Sequence, residues 1–83
     1  MITEKEASEM PEEYKVTWEA ARVNAGLQQQ EAAKALKISK QTLGSYEKYR
    51  TFPNADMVIK MAELYKRKVD YIFLQKPVNL INA

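Results

Sequence analysis

Gln28-Gln29-Gln30-Glu31-Ala32-Ala33-Lys34-Ala35-Leu36-Lys37-Ile38-Ser39-Lys40-Gln41-Thr42-Leu43-Gly44-Ser45-Tyr46-Glu47 holds two short amphipathic patterns joined by about three residues. In the first, expected to begin around Gln29, Ala32, Ala33 and Leu36 share one face, and the two alanines let a neighbouring helix approach closely. Ser39 is an N-cap for the second, expected over roughly Lys40 to Lys48. On a helical wheel Lys40, Gly44, Lys48, Gln41 and Ser45 fall within an arc of about 140° that carries no large apolar group. Leu43 and Tyr46 anchor the other side, and Glu47 borders it.

The same punctuation continues outward. Thr17 is an N-cap, followed by Trp18, Ala21, Arg22 and Ala25 at helical spacing, with Gly26 closing the turn and Leu27 as its apolar plug. After the loop Tyr49-Arg50-Thr51-Phe52-Pro53, Asn54 caps a helix carrying Met57, Val58, Met61, Ala62, Leu64 and Tyr65. Asp70 is read as the cap of a short fifth helix with Tyr71, Ile72, Phe73 and Leu74. No strand pattern appears. The expected fold class is all-α, a compact bundle of about five short helices. Residues 1–16 are read as an acidic, flexible arm that Pro11 keeps from being one helix, 17–76 as the domain and 77–83 as a short tail.

Composition narrows the function. Eighty-three residues make one domain, large enough to bury roughly 60–65% of the unfolded surface but without room for a large catalytic cleft. There is no Cys and no His, so the usual transition-metal ligands and the commonest general base are missing. An enzyme, a metal site and a cofactor are therefore not expected. No run approaches the ~20 apolar residues that span a bilayer, and the lack of Cys fits a reducing cytoplasm. The net charge of +2 is uneven: residues 1–13 set five glutamates against Lys5, a balance of −4, leaving 12 basic and 6 acidic side chains and +6 beyond them. A basic folded part suits a polyanionic partner.

The polar arc of the second helix has the chemistry to read base edges. Gln bonds bidentately to adenine, Lys donates to guanine, and Ser serves either way. Lys40 and Gln41 stand at the helix N-terminus, where unpaired N–H groups and the dipole also favour phosphate.

The chain resembles the phage repressor and Cro-like helix-turn-helix family over roughly residues 17–74. The matching residues are Arg22, Gly26 and Leu27; Gln29 and Ala33; Ser39, Thr42, Leu43, Tyr46 and Glu47; and Pro53. The resemblance implies a lambda-repressor-like fold and a sequence-specific regulator of transcription, of the repressor type, bound to double-stranded DNA. It implies base contacts from Lys40, Gln41 and Ser45, and phosphate contacts from Gln29, Ser39, Thr42, Lys48 and Arg50. Arg22 and Glu47 match the family's structural ion pair, tying the first helix to the third.

Three positions depart from the pattern. Tyr49 and Lys37 stand where the family commonly has Gly, and a bulky residue at positive φ costs about 1 kcal/mol or more, which leaves a different loop path open and unsettles Arg50. Gly44 lies inside the recognition helix, either to let backbone approach the groove or by simple tolerance. Trp18, Tyr46, Tyr65, Tyr71 and Phe73 are read as core, while Tyr49 and Phe52 are read as loop aromatics open to solvent. Lys66-Arg67-Lys68 complements a helix C-terminus. Tyr71 to Leu74 with Val78, Leu80 and Ile81 is the expected homodimer surface, its rival being packing on the domain's own core. The alternative function is an antitoxin or protein-interaction module whose partner takes the N-terminal arm or this C-terminal apolar surface.

Overall fold

The computed structural model describes residues 14–77. Within them lie four α-helices: α1 Trp18–Asn24, α2 Gln29–Leu36, α3 Lys40–Glu47 and α4 Ala55–Leu64. Each starts at the cap its sequence supplies. Thr17 Oγ1 accepts from the Ala20 N–H at 3.1 Å, Ser39 Oγ from Thr42 at 3.0 Å and Asn54 Oδ1 from Met57 at 2.8 Å. At α2 the reach runs the other way, with Glu31 Oε1 accepting the Gln28 N–H at 2.9 Å. These bonds satisfy donors that a helix start leaves without an intrahelical partner.

All four helices also stop in one way. A left-handed residue follows each: Gly26 at φ 77°, Lys37 at 58°, Tyr49 at 57° and Lys66 at 54°. The next N–H then reaches back five residues: Leu27 to Arg22 O, Ile38 to Ala33 O, Arg50 to Ser45 O and Arg67 to Ala62 O. This is the bond pattern of a Schellman stop, which reverses the chain sharply and satisfies terminal carbonyls. Lys37 and Tyr49 thus keep the loop geometry that Gly would give, and no alternative loop path is taken.

The helices wrap one core. Trp18, Ala21, Ala32, Ala33, Leu36, Leu43, Met61, Ala62 and Tyr65 are buried, and the Trp18 and Tyr65 rings meet edge-to-face at 6.4 Å. Fully burying a side chain the size of Leu43 or Met61 contributes about 1.5–3 kcal/mol, so these central positions dominate the cohesion. Ala32 and Ala33 keep α2 slim where α3 crosses it.

The expected fifth helix is a 3₁₀ turn, Val69–Tyr71, entered from Lys68 rather than capped by Asp70. Ile72 then turns extended, at φ −122° and ψ 135°, and forms a parallel bridge with Val16. The Val16 N–H donates to Tyr71 O at 2.8 Å and the Phe73 N–H to Val16 O at 2.9 Å. Tyr71 and Phe73, on either side of Ile72, thus satisfy both backbone groups of Val16, which a one-turn helix over 71–74 would prevent, while the Ile72 N–H donates to Val69 O at 3.0 Å. Val16, assigned to the arm from sequence, is accordingly part of the fold. Ile72 is buried and Phe73 packs on the core, so the apolar stretch beginning at Tyr71 largely serves this domain itself; Leu74 stays 41% exposed. The acidic residues 1–13 and the apolar Val78, Leu80 and Ile81 lie outside the described residues.

Lys37 is solvent-exposed at its left-handed position. Lys37→Gly is expected to raise stability by about 1 kcal/mol by removing the Cβ penalty. A urea titration showing a higher midpoint at unchanged m-value checks it.

Candidate nucleic-acid interface

The Ser39 hydroxyl, besides capping α3, donates to Thr42 Oγ1 at 2.9 Å, so the two hydroxyls form one exposed corner at the helix start. Lys40 and Gln41 follow, both exposed, and Ser45 is half-buried one turn on. Among the described residues neither Lys40 nor Gln41 makes a side-chain hydrogen bond. Lys48 and Arg50 are exposed just past the helix end, beside Phe52 at 55% exposure. From Ser39 to Phe52 the only acidic residue is Glu47.

Glu47 is turned inward and neutralised. It is 6% exposed, and its Oε2 takes the Arg22 Nε–H at 2.7 Å. Its Oε1 takes Arg22 Nη2 at 3.4 Å and Gln29 Nε2 at 3.0 Å. The Arg22 Nη1 donates to Leu27 O at 2.8 Å, so one guanidinium holds α3 and the turn after α1 together. The hydrogen bond to Glu47, with burial opposing it, raises the Arg22 pKa above its already high ordinary value. The surface around α3 therefore presents Lys40, Lys48 and Arg50 with no uncompensated carboxylate between them.

Two side chains sit differently from the sequence expectation. The Gln29 amide, assigned to phosphate, has one N–H committed to Glu47, leaving its second N–H for a ligand. Tyr49, expected open to solvent, is 7% exposed. Its ring joins the core and its hydroxyl accepts the Trp18 N–H at 3.3 Å; burial raises its pKa, and the bond from the Trp18 N–H counters this. The sequence shows a non-glycine residue at a glycine position but gives no sign of its anchor, since Trp18 and Phe73 are distant along the chain. The Gln29–Glu47 bond likewise links positions 18 apart and leaves no local pattern.

Gly44 faces the Gln29 side chain. A Cβ built there would lie 3.6 Å from Gln29 Nε2, an ordinary contact, so interior packing does not demand glycine. Tyr65, 4% exposed, has no hydrogen-bond partner for its hydroxyl among the described residues. Burial first, and then the Glu47 charge, push its pKa up to about 12.

A helix-turn-helix family model matches residues 19–72, which takes in the four helices except for Trp18 at the start of α1, and the 3₁₀ turn. The chain belongs to the helix-turn-helix family. It is 36% identical over 62 residues to the HTH-type transcriptional regulator ImmR of Bacillus subtilis (strain 168), an alignment covering 75% of this chain and 49% of that protein. The chain thus spans about half the length of this curated relative. No solved structure matches it. Helix-turn-helix membership agrees with the all-α reading of the sequence, and the matched residues include α2 and α3, the pair whose sequence has the spacing of the motif. No helix among the described residues is long and apolar enough to cross a membrane.

The Glu47 carboxylate is buried and the Arg22 guanidinium partly so, so removing one partner leaves the other without its main compensation. Glu47→Ala is expected to cost about 3–5 kcal/mol, while replacing both partners by Met and Leu recovers most of that loss. Urea midpoints of the single and double variants, measured side by side, test this.

Proposed function

We propose that this chain is a sequence-specific, double-stranded DNA-binding regulator of transcription, of the phage- or prophage-repressor and Cro-like kind, working in the cytoplasm. The observation that carries the reading is the outward face of α3: Lys40 and Gln41 exposed at its N-terminal end, Ser45 a turn later, and the single nearby carboxylate withdrawn into an ion pair. Membership of the helix-turn-helix family and the similarity to a protein named as a transcriptional regulator support it.

In this reading α3 lies in the major groove, and Lys40, Gln41 and Ser45 meet base edges. Gln29, Ser39, Thr42, Lys48 and Arg50 meet phosphates. The α2 start, with Gln29 and its free N–H groups, borders one strand, while Lys48 and Arg50 reach the backbone past the end of α3. No chemical step is assigned to the domain, and it uses no cofactor or small-molecule substrate.

A single module of this size buries roughly 600–1,000 Å² on DNA, which argues for two copies on a two-fold site with half-sites about 34 Å apart. The surface for such a homodimer has to include residues other than Ile72 and Phe73. The exposed Leu74 is its nearest described member.

Duplexes selected from a random pool, then titrated by fluorescence anisotropy over a salt series, test the function. Gln41→Ala is expected to cost about 1–3 kcal/mol on the selected site and to relax preference at one base pair. Lys48→Ala is expected to weaken selected and scrambled duplexes alike and to make the salt dependence shallower by about one phosphate. Equal losses for Gln41→Ala on both duplexes would remove it from base reading, and no enrichment from the pool would remove sequence-specific binding altogether.

A further inference from the structure

Tyr49 lies between Lys48 and Arg50, at the left-handed residue that ends α3. Its hydroxyl accepts the Trp18 backbone N–H at 3.3 Å and donates to the Phe73 carbonyl at 2.7 Å. Trp18 is the first residue of α1, so its N–H has no acceptor within the helix. Phe73 is the residue whose own N–H closes the Val16–Ile72 bridge. One phenol therefore joins the end of the recognition helix to the start of α1 and to the C-terminal segment.

The backbone at this point needs such an anchor. A tyrosine is strained at φ 57° where glycine is not, and the right-handed region is open to it once its side chain is released. The Arg50 N–H bond to Ser45 O at 2.9 Å depends on the same conformation. Lys48 and Arg50 are exposed, and among the described residues their side chains make no hydrogen bond, so the loop backbone sets where their charges stand.

We infer that Tyr49 is a positioning residue for phosphate binding: held by Trp18 and Phe73, it fixes the Lys48–Arg50 backbone and couples docking of the segment Ile72 to Pro77 to DNA affinity. The inference rests on the reading of Lys48 and Arg50 as phosphate ligands. The segment it reports on runs from the buried Ile72 to the buried Pro77. Release of that segment removes the Phe73 carbonyl from the phenol, and the strain at Tyr49 then loosens the loop that carries both cations.

The test is Tyr49→Phe in the full chain, which keeps the ring and deletes the hydroxyl. In the free protein, amide exchange of Arg50 is expected to accelerate at least about tenfold relative to Ile38, the equivalent amide after α2, which serves as internal control. With DNA, affinity for selected and scrambled duplexes is expected to fall about three- to tenfold, with a shallower salt slope. The loss caused by Lys48→Ala is expected to shrink in the Tyr49→Phe background. If Lys48→Ala weakens binding equally in both backgrounds, or Arg50 and Ile38 accelerate together, the phenol is an ordinary stabilising group and the inference is overturned. If Lys48→Ala has no effect even with Tyr49 intact, it is the phosphate reading that fails, whatever the exchange data say.

Discussion

The Glu47 carboxylate takes three N–H donors from two other helices, two from Arg22 of α1 and one from Gln29 of α2. It thereby fixes α3 against both neighbours at the end opposite its cap. Hydrophobic contact through Leu43 would hold α3 to the core but leave it free to roll, since apolar packing is not directional. The ion pair supplies the direction. In the proposed reading of this face as the one that meets base edges, such rolling would put its side chains out of register. The same bond removes the single negative charge from the surface between Ser39 and Phe52. Orientation and electrostatics of the candidate interface thus share one cause.

Much of this was legible in the sequence because it is local. Thr17, Ser39 and Asn54 are caps whose partners lie three residues away, and the apolar faces of α2 and α4 follow helical spacing. The Arg22 and Glu47 pairing was readable only through the resemblance, since no periodicity joins residues 25 apart. The 3₁₀ turn and the Val16–Ile72 bridge were not legible. The apolar run Tyr71 to Leu74 suits a helix or an extended segment equally well, and the choice is made by Val16, which lies 56 positions away in a stretch with little pattern of its own.

Lys37 and Tyr49 show how a departure from a family pattern should be weighed. Both are bulky residues that resist a left-handed turn, and both adopt it. The penalty of about 1–2 kcal/mol is smaller than the loss of a helix stop that reverses the chain and closes its terminal hydrogen bonds. At Lys37 the side chain simply points to solvent. At Tyr49 it is buried and hydrogen-bonded twice, so the residue offsets its own strain and gives the loop after α3 a link to both ends of the domain.

The proposed docking of α3 in the major groove can be tested residue by residue. A titration of isotopically labelled protein with a selected duplex, followed by backbone amide shifts, is the most direct measurement. Groove docking predicts that the largest changes fall on Gln29, Ser39 to Ser45 and Lys48 to Thr51, leaving Lys66 to Lys68 nearly still. Changes concentrated along α4 and Lys66 to Lys68, with Lys40 and Gln41 unmoved, would contradict it.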